Sequence, residues 1–95
     1  MAEFLLEMYV SRATPEVVDL GADRARRVAL TLRRRHRSVE LLRTIFVPEE
    51  ETAFFVYEAA SADDVREAAR LAALPSDRVV ASVTRTSPKG GEIPA

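Results

Sequence analysis

The stretch that decides the fold is residues 54–79, which reads FFVYEAASADDVREAARLAALPSDRV. It opens with β-branched and aromatic residues, which favour a strand. Ser61 and the two aspartates after it predict a helix start, because a hydroxyl caps free backbone amides and carboxylates favour the positive helix end. Pro75 ends this helix, and a second strand begins at Val79. The stretch therefore predicts a strand, a helix and the start of another strand.

The first half of the chain predicts a strand and a helix, followed by a hairpin of two strands. Residues 4–11 are rich in strand formers, and Thr14 with Pro15 predicts the start of a helix. Apolar residues then recur at three- and four-residue spacings, which predicts an amphipathic helix to about His36. Residues 39–47 and 53–59 read as two strands of a hairpin, joined by the acidic loop 48–52.

The order strand, helix, strand, strand, helix, strand predicts the α+β class and a ferredoxin-like βαββαβ sandwich. Right-handed crossovers place both helices on one face of a four-stranded antiparallel sheet. We expect the last strand at residues 79–86, one domain at residues 1–87 and a flexible tail at residues 88–95.

The other sheet face is expected to be open. Alternation along the first strand sends Phe4, Leu6, Met8 and Val10 towards the helices, and Leu5, Glu7 and Tyr9 to the open face. We expect the aromatic residues Phe46, Phe55 and Tyr57 to share the open face. Such an apolar surface is larger than monomers usually expose, so it predicts a homodimer of the dimeric α/β-barrel type.

Composition narrows the class of protein. The chain has 95 residues, no cysteine and a net charge of −1, which predicts one domain without disulfides or thiolate metal ligands. The near-neutral charge argues against nucleic acid as a partner. The amino terminus has no basic leader, and Glu7 interrupts its apolar run. We therefore expect a cytoplasmic protein without a membrane partner.

A run of basic residues, Arg33 to Arg37 with His36 inside it, follows three further arginines on the same predicted helix. Nucleic-acid binding is one interpretation. Cations at a helix carboxyl end also interact favourably with its dipole, so we favour a solvated helix end. An anion or a partner protein contact stays open as a third interpretation.

Four residues on or near the predicted strands carry polar groups that could take part in catalysis or ligand binding: Glu7, Tyr9, Tyr57 and Glu58. Glu7 is the candidate acid or base, and Tyr9 or Tyr57 is the candidate orienting group, with Glu7 and Tyr9 as the candidate catalytic residues. Pairing of Glu7 with Arg43 or Arg85 is the simpler alternative. The candidate ligand-binding residues are Phe46, Phe55, Tyr57 and Glu58, although alternation puts Tyr57 and Glu58 on opposite faces unless a bulge intervenes.

Residues 57–79 and the opening ATPEVVD at residues 13–19 resemble the domain of unknown function 4242 family, small bacterial proteins with a ferredoxin-like fold. The resemblance implies a dimer of α/β sandwiches and, for some members, nickel binding. Metal-associated members carry histidines where this chain has Glu58 and Ala68. His36 is the only imidazole, so it is the one candidate ligand for nickel or another divalent metal; no other cofactor is expected.

Three functions stay open on these observations. The leading hypothesis is a homodimeric module that binds a small ligand or a metal ion. The alternative is a cofactor-free oxygenase, isomerase or cyclase that acts on an aromatic or polyketide-like substrate, with Glu7 as the base. A structural subunit that uses the arginine-rich helix is the third.

Overall fold

The computed structural model describes residues 1–12, 14–75 and 78–83. The strands and helices in this part of the chain are, in order, β1 (Ala2–Tyr9), α1 (Pro15–Arg34), β2 (Val39–Val47), β3 (Thr52–Ala59), α2 (Ala62–Leu71) and β4 (Arg78–Ser82). A 3₁₀ turn, Pro48–Glu50, joins β2 to β3. The predicted end of the last strand and the predicted tail lie outside the described residues.

The four strands form one antiparallel sheet in the order β2-β3-β1-β4. Each helix therefore joins two strands that have a third strand between them. Buried residues of both helices and of one sheet face form a single core cluster. The chain has the α+β ferredoxin-like arrangement that the order of elements predicts.

Both helices begin where the capping pattern predicts. The Oγ1 of Thr14 accepts a hydrogen bond of 3.4 Å from the Val17 amide, and the Oγ of Ser61 accepts one of 3.2 Å from the Asp64 amide. Pro15 is the first residue of α1. These bonds satisfy amides that have no partner inside a helix. Neither helix is long and apolar enough to cross a membrane, within the residues described.

Helix α1 ends at Arg34, before the predicted end at about His36. His36 has a left-handed φ of 63°. The Arg37 amide then donates to the carbonyl of Leu32 over 2.9 Å. Such a bond satisfies a carbonyl left free by the end of the helix. His36 therefore lies in the turn between α1 and β2 instead of on the helix.

The alternation along β1 is confirmed. Phe4, Leu6 and Met8 are each at most 7% exposed and belong to the core beneath the helices. Leu5 and Glu7, which point the other way, are partly exposed. The first strand thus defines a helix-covered face and an open face.

The predicted faces of Phe55 and Tyr57 on β3 are wrong. Phe55 lies opposite Leu6 and Tyr57 lies opposite Phe4, and directly opposed residues of antiparallel strands share a face. Both side chains are 0% exposed in the core beneath the helices. Neither residue lies on the open face.

The predicted face of Phe46 on β2 is wrong as well. The pairing of β2 with β3 shifts between Leu41 and Arg43, which makes Leu42 an extra residue in the strand. An extra residue moves every later side chain to the other face. Phe46 consequently lies opposite Ala53 and packs against the core.

Candidate functional site

A recess of about 240 Å³ lies at one end of the open sheet face. Its lining residues come from three strands: Glu7 and Tyr9 from β1, Thr52 from β3 and Arg78 from β4. Glu7 is paired with Arg78 and Tyr9 with Thr52, so alternation puts all four side chains on the same face. Glu7 and Tyr9 were predicted as site residues from the sequence, whereas Thr52 and Arg78 were not.

The electrostatics of the recess depend on one loose ion pair. The Oε2 of Glu7 lies 3.8 Å from the Nη1 of Arg78, and the two side chains are 40% and 68% exposed. Exposed pairs of this kind contribute roughly 0.2–1 kcal/mol to stability. The guanidinium therefore retains donors for an anion, and the carboxylate can be displaced at small cost.

Tyr9 is held at the rim of the recess by Glu51. The Tyr9 hydroxyl donates to Oε1 of Glu51 over 3.3 Å, and the Arg12 amide donates to Oε2 over 2.9 Å. The Val10 amide also donates to the Glu51 carbonyl over 2.7 Å. Glu51 thus joins the hairpin tip to the end of β1. In the sequence, this glutamate is marked only as part of the acidic loop 48–52.

An apolar band crosses the open face from one edge strand to the other. It is formed by side chains from all four strands, Leu5, Ile45, Phe54, Val56 and Val80. Ile45 is 43% exposed and Val80 is 37% exposed. Phe54 lies directly across from Glu7 and is the aromatic residue of this face that sequence analysis misses. Glu58 could have indicated this position from the sequence, because a glutamate favours the solvent-exposed face of a sheet. Phe54 is four residues before Glu58, so the two side chains point to the same side of β3.

Glu58 lies on the open face, but far from the recess. It is paired with Glu3 on β1 and with Glu40 on β2, so three glutamates cross the sheet in one row. Glu3 and Glu7 are separated along β1 by about 13 Å in an extended strand. The structure therefore does not bring Glu58 together with Glu7 and Tyr9.

Tyr57 is enclosed in the core. Its hydroxyl and the Oγ1 of Thr44 are buried without a hydrogen-bond partner among the described residues. Burial raises the pKa of Tyr57 to about 12, because the phenolate is poorly solvated there. On the helix side of the sheet, this hydroxyl cannot orient a ligand on the open face.

His36 lies at a different recess, of about 400 Å³, beside Arg33 and Arg37. The Nη2 of Arg37 bonds to Oδ1 of Asp64 at 2.6 Å and to Oε2 of Glu67 at 2.5 Å. These carboxylates raise the pKa of Arg37. Among the described residues, no group of three or more His, Cys, Asp or Glu side chains is arranged to hold a metal ion. His36 therefore has no companion ligands in that part of the chain.

The fold and the recess define a class: a ferredoxin-like α+β domain with a polar recess beside an apolar band, on the sheet face that the helices leave uncovered. The chain matches no protein-family model, no curated protein and no solved structure. The resemblance to the domain of unknown function 4242 family stays a prediction, as do a bacterial origin and a cytoplasmic location.

Proposed function

We propose that the protein is a small-ligand-binding module that works as a homodimer. The observation that carries this proposal is the meeting of Glu7, Tyr9, Thr52 and Arg78, from three strands, in one recess. A few convergent polar groups beside an apolar surface are the usual composition of a ligand site. The proposed ligand is a small organic carboxylate with an aromatic or other apolar body.

The polar groups of the recess favour a carboxylate. The guanidinium of Arg78 presents several N–H donors in a planar fork, and this geometry matches the two oxygens of a carboxylate. Glu7 approaches it only to 3.8 Å, which leaves donors for the ligand. The hydroxyls of Tyr9 and Thr52 donate to Glu51 and to the Glu50 carbonyl, so their oxygens can accept hydrogen bonds from a second polar group of the ligand. Phe54, across from Glu7, offers an apolar surface to the ligand body.

The proposed partner for the open face is a second copy of the chain. Ile45 on β2 and Val80 on β4, the two edge strands, are 43% and 37% exposed. Leu5 and Phe54, on the two strands between them, are partly exposed. Monomers rarely expose a contiguous apolar patch of this kind. The recess of about 240 Å³ is also small and uncovered. Ligand sites usually enclose roughly 300–1,000 Å³. A second sheet laid over the first would both cover the patch and enlarge the enclosed space, as in the dimeric α/β-barrel type.

Naphthoate is a suitable probe for the proposed site, and naphthol serves as the matched probe without a carboxylate. Naphthoate is expected to shift the backbone amide NMR signals of β1, β3 and β4 around the recess. Arg78→Gln should weaken its binding about tenfold, because a charge-assisted hydrogen bond is lost. Arg43→Gln removes a guanidinium from the same face outside the recess and should leave the affinity unchanged. Equal affinities in all three proteins would contradict the proposal.

The second candidate is a cofactor-free oxygenase, isomerase or cyclase of the same architecture. The observation that favours it is that Glu7 and Tyr9 line one recess. In this case Glu7 takes a proton from the substrate and the Tyr9 hydroxyl orients a substrate oxygen. A dry enclosure would be needed to exclude water from the reaction. The two candidates differ in the effect of replacing Glu7 on ligand binding and on turnover.

A further inference from the structure

A separate recess of about 310 Å³ lies on the helix side of the molecule, between α1 and α2. Its lining consists of residues from the second half and the end of α1 and one residue of α2: Arg27, Val28, Thr31, Leu32, Arg35 and Leu71. The positions on α1 recur at three- and four-residue spacings, so they form one side of the helix. We call this feature the interhelical groove. The function proposed for the open sheet face makes no use of it.

The floor of the interhelical groove is apolar. Leu32 is 3% exposed, and Val28 packs against the core. Leu71, the last residue of α2, leaves 47% of its surface exposed beside them. The Nε of Arg24 donates to the carbonyl of Ala72 over 2.9 Å and so ties this end of α2 to α1. This hydrogen bond fixes the end of α2, so the side chain of Leu71 forms one apolar side of the groove.

Two arginines flank this apolar floor. Several other arginines of the described residues engage carboxylates, as in the pairs Arg26–Asp23 and Arg66–Asp63. The guanidinium groups of Arg27 and Arg35, like those of Arg33 and Arg34, have no ion pair or hydrogen bond within the described residues. The groove lining contains no aspartate or glutamate. Its charge is therefore complementary to an anion.

Stabilisation of the helix dipole does not account for these features together. A cation in the last turn interacts favourably with the helix carboxyl end, and this explains Arg35. The effect fades beyond the last turn, so it does not explain Arg27. It also gives no reason for Leu71 to remain exposed next to two unpaired cations.

From these observations we propose that the interhelical groove binds a small amphipathic carboxylate. The apolar chain of the ligand lies on Val28, Leu32 and Leu71, and the carboxylate accepts hydrogen bonds from Arg27 or Arg35. The volume of about 310 Å³ corresponds to roughly ten water molecules of liquid, so the groove suits a body of roughly ten heavy atoms. This site is independent of the recess on the open sheet face.

Decanoate is the probe we would use, below its micelle concentration, with amide NMR spectra of the full chain as the readout. Acetate carries the same charge without the chain, and decyltrimethylammonium carries the chain with the opposite charge. We expect decanoate to shift signals along the interhelical groove, and both comparison probes to bind at least about tenfold more weakly.

Three variants complete the experiment. The double variant Arg27→Gln, Arg35→Gln and the variant Leu71→Gln should each weaken decanoate binding about tenfold. Arg34→Gln removes an exposed arginine of the same helix that does not line the groove, and its affinity should equal that of the wild type. The signals of β1 to β4 in each spectrum report that the fold is intact. The proposal is overturned by absence of decanoate binding, by signals shifted only on the sheet face, by equal binding of decyltrimethylammonium, or by unchanged affinity in the double variant.

Discussion

The Oε2 of Glu7 on β1 lies 3.8 Å from the Nη1 of Arg78 on β4, on the sheet face opposite the helices. The two residues are directly paired in the register of these strands. This partner differs from Arg43 and Arg85, the partners expected from the sequence; Arg85 lies outside the described residues. The pair places a displaceable anion beside an available guanidinium, and the proposed site depends on this arrangement.

Replacement of Glu7 separates the two candidate functions. If the recess binds a carboxylate, Glu7→Gln removes an anion that competes for Arg78, so naphthoate should bind about two- to fivefold more tightly. If Glu7 is a general base, the same variant should lose at least about a hundredfold in kcat on a substrate turned over by the wild type. Weaker naphthoate binding in Glu7→Gln would contradict the proposed electrostatics. Glu40→Gln, which removes a carboxylate from the same sheet face far from the recess, is the control and should leave the affinity unchanged.

A charge placed in the apolar band of the open face should separate the dimer. Ile45→Glu would bring two carboxylates into the proposed interface, and we expect the dissociation constant to rise at least about a hundredfold. Sedimentation velocity over a range of concentrations measures this. Leu20→Glu introduces the same charge at a position on α1 that is 60% exposed, and it should leave the assembly unchanged. An Ile45→Glu dimer as tight as the wild type would place the interface elsewhere.

The hydroxyl of Tyr57 should contribute no stability. It is buried without a partner among the described residues, and an unpaired buried hydroxyl costs about 1–3 kcal/mol. Tyr57→Phe should therefore leave the free energy of unfolding unchanged or raise it by about 1 kcal/mol. Urea denaturation gives this quantity. A loss of more than about 1 kcal/mol would mean that the hydroxyl has a partner. Tyr9→Phe, which removes an exposed hydroxyl, serves for comparison.

Because Tyr57 is buried, the free energy of unfolding should fall at alkaline pH. Burial raises its pKa to about 12 in the folded protein, against about 10 in an unfolded chain. The folded state holds the proton more tightly, so this stabilisation is complete below about pH 10 and declines as the pH rises to about 12. The loss amounts to about 2–3 kcal/mol and should be absent from Tyr57→Phe.

Optical titration of the Tyr9→Phe variant isolates the phenol of Tyr57, since the chain has two tyrosines. The phenolate absorbance should rise near pH 12 in the folded protein. A rise near the ordinary pH of about 10 would show that the hydroxyl is solvated.

The features that local sequence determines were predictable. Thr14 and Ser61 cap the two helices because their hydroxyls reach amides within the next turn, and no distant residue is involved. The alternation of Phe4 and Leu6 with their neighbours on β1 likewise reads directly from the chain. The order of such elements was enough to predict the ferredoxin-like arrangement.

The features that pairing determines were harder to predict. Residues 53–57 on β3 are apolar without interruption, so this run by itself gives no preference for Phe54 or Phe55 on the open face, and Glu58 after it is the one residue that favours Phe54. The extra residue Leu42 changes the face of Phe46 and has no glycine to mark it. Arg78 enters the site only through its register opposite Glu7, and the sequence predicted that its strand begins at Val79.

A native mass spectrum of the protein, purified without chelator or affinity metal, tests the central claim most directly. The open sheet face is proposed to bind a second copy and, between the two copies, a small ligand. The expected result is a dimer that carries additional mass from a retained organic molecule, released on denaturation. A bare monomer at micromolar concentration and above would contradict the account.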